Sequence, residues 1–382
     1  MIIHLDADAF YVSCEQAADR RLRGEMIAIG GSQRGIIASA CYEARKLGVY
    51  TPMPSQRALK VCPQLRIIRP QFHRYEWFSR AMFSLVEEIT PFIERTSIDE
   101  GYVRLPDNSD WTPVEAAKHL QDWIWERLRI PVSMGVASSK LVSQIASKLK
   151  KPKGFAVVEP GEEAAFLAPL EVKWLPGVGG KTEETLQKGG FHLIRDVVEA
   201  DPIELARVVG DWGAQLQAAA RGEDERDLRL DRSDALSYSH QDTFSEDVTD
   251  RSRLQRVLRT LTDDLVRKLV RDEKSARTLT IRIRLKRMDD TARSESLPEP
   301  SSLAEDFYPL IDRLLEKAWD GRSPVRLAST KLSNIHPGIV AGDLFTHAEK
   351  SKLLALQQSV TELQQRYGKQ AIQRGHAWSD EA

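Results

Sequence analysis

A chain of 382 residues exceeds the usual span of one compact core, so two to four structural units are expected. Its 55 Lys and Arg stand against 56 Asp and Glu, so any basic surface for a polyanion must be local and balanced by acidic surface elsewhere. Cys14, Cys41 and Cys62 show no Cys-x-x-Cys spacing and no His cluster, which argues against a disulfide framework and a zinc site. Asp6 and Asp8 stand where a signal peptide would be apolar, and no run approaches the roughly 18 apolar residues of a membrane span; a soluble, cytoplasmic protein is expected.

At the start, Ile3, Leu5 and Ala7 alternate with His4, Asp6 and Asp8, which in a strand puts one apolar face inward and the carboxylates on the other face. Residues 10–16 are helix-compatible and 26–31 read as a short buried strand closing on glycine. The small residues of 35–41 allow close approach by something flat. Tyr42 and Arg45 then share a helix face: either a clamp whose guanidinium matches phosphate oxygens, or an ordinary amphipathic helix with an exposed Arg. After an amphipathic helix over 80–89 come Ser97-Ile98-Asp99-Glu100. The adjacent acids point to opposite sides in a regular strand and converge only at a strand end or turn, which Gly101 permits. Carboxylates meeting there repel unless divalent cations neutralise them, and oxygen-only ligands suit Mg²⁺. Two readings stand on these residues alone, a two-metal phosphoryl-transfer site and a solvated acidic turn.

A helix over 114–128, a strand over 130–137 and a helix over 139–149 follow. Pro152 stops the last and Gly154 turns the chain, while Lys148, Lys150 and Lys153 suit the negative end of the helix dipole. Strands and helices in this irregular order imply an α+β unit, an antiparallel sheet with helices behind. Residues 175–186 match a helix-hairpin-helix, in which Gly177 and Gly179 expose backbone N–H groups at a helix N-terminus beside Lys181, a phosphate site blind to base sequence; 205–222 form a second helical hairpin. The charged, aperiodic run 224–238 reads as a linker. Beyond a helix over 254–270, the strand 276–287 turns Leu279, Ile281, Ile283 and Leu285 inward and Arg282, Arg284 and Lys286 outward with no interleaved acids: a phosphate-tracking surface, or a generic solvated sheet. A helix over 303–319 and a strand over 325–335 complete a second α+β unit, and a polar-faced helix over 348–367 precedes a frayed tail.

Taken together, residues 6–11, 40–49, 97–102 and 135–154 closely resemble the Y-family translesion DNA polymerases of the DinB-like, DNA polymerase IV type, and the resemblance extends from residue 1 to about 340. It implies an α+β multi-domain right-hand polymerase. The parts are a mixed palm with an antiparallel sheet (1–10 and 71–158), small fingers (11–70), a helix-hairpin-helix thumb (159–229), a linker (230–238), a separate α+β little finger (239–340) and a tail (341–382). Asp6, Asp99, Glu100 and the carbonyl of Ala7 would hold two Mg²⁺ ions, with Mn²⁺ as an alternative, Asp8 in a supporting role and His4 in packing. Phe10, Tyr11, Ser39, Tyr42, Arg45 and Lys151 would bind the nucleotide, with Tyr11 either the steric gate against a 2′-hydroxyl or a core tyrosine. Cys41 replaces the family's usual Asn and Gln241 its common Glu. A roof of Ile36, Ala38 and Ala40 implies weak checking of base-pair shape, with no residues left for a proofreading nuclease. Primer–template DNA and deoxynucleotides are the implied partners of a monomer, with Gly177, Gly179, Lys181, Arg282, Arg284 and Lys286 against the DNA. Asp343-Leu344-Phe345 stands where relatives dock on the sliding clamp, though the leading Gln is absent. Two rivals are a polymerase-like adaptor without catalysis, from which the metal carboxylates would be lost, and a palm-bearing nucleotidyl cyclase, which would not need the DNA-gripping motifs.

Overall fold

The computed structural model describes residues 1–31, 34–230, 235–339, 347–368, 371–372 and 374–375, in two units, Met1–Arg232 and Ser233–Ala382. The first unit begins with β1 (Ile2–Ala7), α1 (Phe10–Ala18), β2 (Ile27–Gly30), β3 (Ile37–Ala40), α2 (Tyr42–Lys46), α3 (Ser55–Val61) and β4 (Arg66–Ile68). It continues through α4 (Phe72–Glu87), β5 (Ile93–Arg95), β6 (Glu100–Val103), α5 (Pro113–Leu128), β7 (Val132–Ala137), α6 (Lys140–Leu149) and β8 (Phe155–Val157). The helices α7 (Glu163–Leu167), α8 (Gly180–Lys188), α9 (Ile194–Glu199), α10 (Pro202–Val209) and α11 (Gly213–Ala220) close it.

β1 is the middle of a five-stranded sheet ordered β5-β6-β1-β7-β8, antiparallel except for the parallel β7–β8 pair. The alternation of β1 holds: Ile3, Leu5 and Ala7 join the apolar core, where full burial of a branched aliphatic side chain contributes about 1.5–3 kcal/mol. The opposite face is not solvated, however. The helix α6 covers it, and all six residues of β1 are buried, His4 included. Gly135 makes this approach possible, because a Cβ there would stand 2.0 Å from the Ser143 carbonyl oxygen and 2.5 Å from the Ser147 nitrogen. On the other face, α5 starts with a capping box between Thr112 and Glu115 and packs on β7.

Two local expectations are corrected. Gly101 is not a turn residue: it lies within β6 opposite Leu5 and Arg95, where a Cβ would meet the Glu94 carbonyl at 2.8 Å and the Phe83 ring at 3.1 Å. Gly154 is also chosen for close approach, to the backbone of Lys150, and the residue that turns with positive φ (54°) is Lys153. The charged run after α11 lies against the sheet: Lys140 Nζ donates to Glu94 at 2.5 Å and to the Asp227 carbonyl at 3.3 Å, the Arg229 N–H donates to Glu94 at 2.8 Å, and Leu228 packs with Ile2 and Tyr102. The helices α7–α11 share one core with α6, through Leu141, Val142, Ile145 and Ala146.

The second unit is β9 (Ser237–Val248), α12 (Arg251–Arg271), β10 (Lys274–Leu285), β11 (Asp290–Ser301), α13 (Ala304–Ala318), β12 (Val325–Pro337) and α14 (His347–Tyr367). Its antiparallel sheet runs β11-β10-β12-β9, with α12 and α13 over the apolar face that Leu279, Ile281 and Ile283 present. β11 escapes a hydrophobic pattern search because it is an edge strand of mostly polar residues carrying Pro298 and Pro300. Asp343, Leu344 and Phe345 lie outside the described residues.

Candidate active site

The register of two strand pairs gathers the acidic residues. Asp6 is opposite Glu100 on β6 and opposite Ser133 on β7. Asp99 stands just before β6, and its carbonyl accepts the Ala7 N–H at 2.9 Å, so its side chain escapes the strand alternation. A tight turn fixes it: the Asp99 and Glu100 N–H groups each donate to Ser97 Oγ at 3.1 Å, and that hydroxyl donates to Asp99 Oδ1 at 2.5 Å.

Burial raises the carboxyl pKa values of both Asp99 and Glu100, and the negative charge of Asp6 adds to each shift. Lysines on and after α6 offset this. Lys148 Nζ is 3.3 Å from Glu100, and Lys151 pairs with Asp6 while standing 3.7 Å from Asp8. Among the described residues no three acidic, His or Cys groups form a closed cation cluster. What the donor set does fit is a hard divalent cation: Asp6, Asp99, Glu100 and the Ala7 carbonyl offer only oxygen, and the carboxylates repel one another. His4 is no candidate ligand of this kind. Its Nδ1 bonds Ser147 at 2.8 Å, and burial, then Lys148 and Lys151, push its pKa down to about 3, so it is neutral packing beside Glu100.

Ala9, in the left-handed region at φ 44°, swings the chain from β1 into α1. Phe10 is buried in the core, whereas the half-buried Tyr11 stacks on Tyr75 with ring centroids 4.6 Å apart. Burial, then the charge of Asp99, raise the Tyr11 pKa, which places that ring within electrostatic reach of the acids. Tyr42 and Arg45 do share a face: the guanidinium lies 4.8 Å from the Tyr42 ring centroid, and its Nε donates to the Ala40 carbonyl at 2.9 Å. Tyr42 OH in turn donates to Asp8 at 3.4 Å. Cys41 caps α2, its sulfur accepting the Ala44 N–H at 3.4 Å. Ser39 is buried, Ile36 and Ala38 are exposed on β3 and the loop before it, and Ala40 is fully covered, so Ala40 does not extend an open roof.

Gly177 adopts φ +91° and Gly179 is the N-cap of α8, with open space around it and an exposed Lys181 two residues on, in the first turn of the helix. On the second unit, the outward cations of β10 meet acids that the strand alone did not reveal. Asp290 lies opposite Arg284 and accepts from it at 2.6 and 2.8 Å and from Arg282 at 3.5 Å, while Lys286, just past the end of β10, is 3.8 Å from Asp247. Sequence reasoning passed over Tyr75 and the hydrogen bonds around Asp8, and it read Lys148 as a helix-end charge and not as the partner of Glu100. The only available signals were an aromatic one helical turn from others and a second carboxylate two residues from the first.

Two family models match the chain: the impB/mucB/samB family over residues 5–148 and the impB/mucB/samB family C-terminal domain over residues 235–344. A protein of Opitutus terrae named DNA polymerase IV is 44% identical over 98% of this chain and 96% of its own length. DNA polymerase IV 1 of Bacillus subtilis is 34% identical over 98% of this chain and 92% of its own. Among solved structures, a Y-family DNA polymerase chimera of Dbh and Dpo4 superimposes with a TM-score of 0.79 at 24% identity, covering 88% of this chain and 99% of that one. With the acidic strand ends in register and the likeness running along nearly its whole length, the chain belongs to the impB/mucB/samB family, the Y-family DNA polymerases of the DNA polymerase IV type.

Proposed function

We propose that this protein is a template-directed translesion DNA polymerase that adds deoxynucleotides to a primer 3′ end and releases pyrophosphate. The observation that carries the reading is the meeting of Asp6, Glu100 and Asp99 at the ends of β1 and β6. Asp6, Asp99, Glu100 and the Ala7 carbonyl would hold two divalent cations, whose chemistry when bound is to acidify the primer hydroxyl and to stabilise the leaving pyrophosphate. Mg²⁺ is the expected ion and Mn²⁺ the alternative. Tyr42, Arg45 and Lys151 grip the triphosphate, Ser39 supports them from the buried side of β3, and the backbone at Phe10 and the ring of Tyr11 bound the sugar. Gly177, Gly179 and Lys181 hold the duplex through phosphates, as do Arg282, Arg284 and Lys286. Two exposed residues before and on β3, Ile36 and Ala38, leave the nascent base pair loosely checked, so synthesis is error-prone, and the same reading includes no proofreading step. The fold division into palm, fingers, thumb and little finger, monomeric action in the cytoplasm, and clamp docking by residues 343–345 belong to the same reading. No described helix is long and apolar enough to cross a membrane.

Primer extension with all four deoxynucleotides tests this. The native protein extends an undamaged primer, whereas Asp99→Ala/Glu100→Ala binds the same DNA without extending it. Binding by both proteins with extension by neither overturns the reading in favour of an adaptor.

A further inference from the structure

Asp8 is fully buried, and the reaction as written does not use it. Both oxygens are already engaged, and every partner is a donor. Ser133 Oγ reaches Oδ1 at 2.9 Å and Oδ2 at 3.1 Å, the Lys153 N–H reaches Oδ2 at 2.7 Å, and Tyr42 OH reaches Oδ1 at 3.4 Å. The Lys151 ammonium stands 3.7 Å from Oδ1. Such a carboxylate has little left to offer a cation, in contrast to Asp6. Its partners come from three separate stretches of chain: Tyr42 opens α2, Ser133 lies on β7, and Lys151 and Lys153 follow α6. Ser133 extends the link, because its Oγ also accepts the Gly154 N–H at 2.9 Å. The backbone of Asp8 is held too, with its carbonyl accepting from Ser13 Oγ at 2.6 Å.

We propose that Asp8 is a positioning residue that ties Tyr42 to the Lys151–Gly154 turn, so that the two triphosphate-gripping groups are held at a fixed separation before the nucleotide arrives. This rests on the assignment of Tyr42 and Lys151 to the triphosphate. Asp8→Asn keeps the volume but removes the charge and turns an amide N–H₂ toward either the Lys153 N–H or the Lys151 ammonium, neither of which can accept, so the tie to the Lys151–Gly154 turn is weakened even where the Tyr42 hydroxyl reverses to accept. Loss of a hydrogen bond to a charged acceptor corresponds to about tenfold or more in an equilibrium constant.

The test is equilibrium binding of mant-dATP, with Mg²⁺, to the protein on a dideoxy-terminated primer–template, alongside anisotropy of the DNA itself and thermal melting. Asp8→Asn is expected to raise the nucleotide Kd about tenfold while DNA affinity stays within about twofold. Ser133→Ala, which removes one donor and leaves the carboxylate, gives a smaller rise in the same direction, and it carries the test where Asp8→Asn does not fold. The Asp8→Asn/Tyr42→Phe pair binds nucleotide no more weakly than the worse single variant. Unchanged nucleotide binding in Ser133→Ala and Asp8→Asn overturns the proposal, as does a loss of DNA and nucleotide affinity in parallel with melting. None of these readouts needs turnover, so failure of the native protein to extend a primer is a separate result against the polymerase reading.

Discussion

Tyr11 is held from behind. Its ring stacks on Tyr75, which is fully buried and donates its hydroxyl to Glu15 at 2.9 Å, and Arg74 pairs with the same carboxylate. A gate needs such a wall, because a ring free to rotate would yield to a 2′-hydroxyl. Tyr11→Ala is expected to admit ribonucleotides, lowering the deoxy-to-ribo discrimination by about a hundredfold or more; an unchanged ratio in single-nucleotide insertion removes Tyr11 from that role. His4 supplies a test by pH. In the unfolded chain its imidazole takes up a proton as pH falls through 6.5, whereas in the folded chain it stays neutral down to about 3. Between those values the unfolded state binds the extra proton, so stability falls with pH by up to about 1.4 kcal/mol per unit. Urea melts from pH 7.5 to 5 should show a shallower loss for His4→Asn than for the native protein; parallel slopes refute the assignment.

At the scale of elements, contact between α6 and β7 depends on the bare Cα of Gly135. Gly135→Ala forces the helix outward, and because Lys148 and Lys151 ride on its end, activity and stability fall together. Overpacking of this kind costs about 1–3 kcal/mol, which denaturant unfolding would measure. In the second unit, Asp290 occupies the Arg284 fork that a phosphate would take. Asp290→Asn is expected to tighten DNA binding about two- to fivefold at low salt, a modest figure because the pair is solvent-screened; weaker binding would show that Asp290 orients the arginine instead of competing for it. These two cases also mark what the sequence reveals. The strand and helix periods of α5, α6, β10, α12 and α13 were legible because each sets an apolar face apart from a polar one, and β1 keeps the same alternation although both of its faces are buried. The convergence of Asp99 and Glu100 was legible because adjacent acids meet only at a strand end. Asp290 beside Arg284 and Glu100 beside Asp6 are matters of register, which no single strand encodes, and β11 has no apolar face to betray it. Gly101 misled because a glycine spared for packing and one spared for turning look alike in a sequence.

At the scale of the whole chain, a net charge of −1 coexists with local cations on each unit, Lys181 exposed on α8 in the first and Arg282, Arg284 and Lys286 beside their acids in the second. DNA affinity is therefore expected to follow local cations and not the total: log K against log salt should fall with a slope steeper than about −3 between 50 and 300 mM. A flat salt response would mean that the basic groups of β10 and α8 do not meet phosphate. Each unit carries its own apolar core, and the stretch 224–229 that leads out of the first returns to the edge of its five-stranded sheet before leaving. A pull on the following residues is consequently borne by Glu94, Lys140 and the Leu228 anchor, not by the helices α8–α11. The Glu94 contacts lie on β5, the strand beside the one that carries Glu100, so the chain that leaves the first unit is moored next to the acidic strand end and not on the helical hairpins.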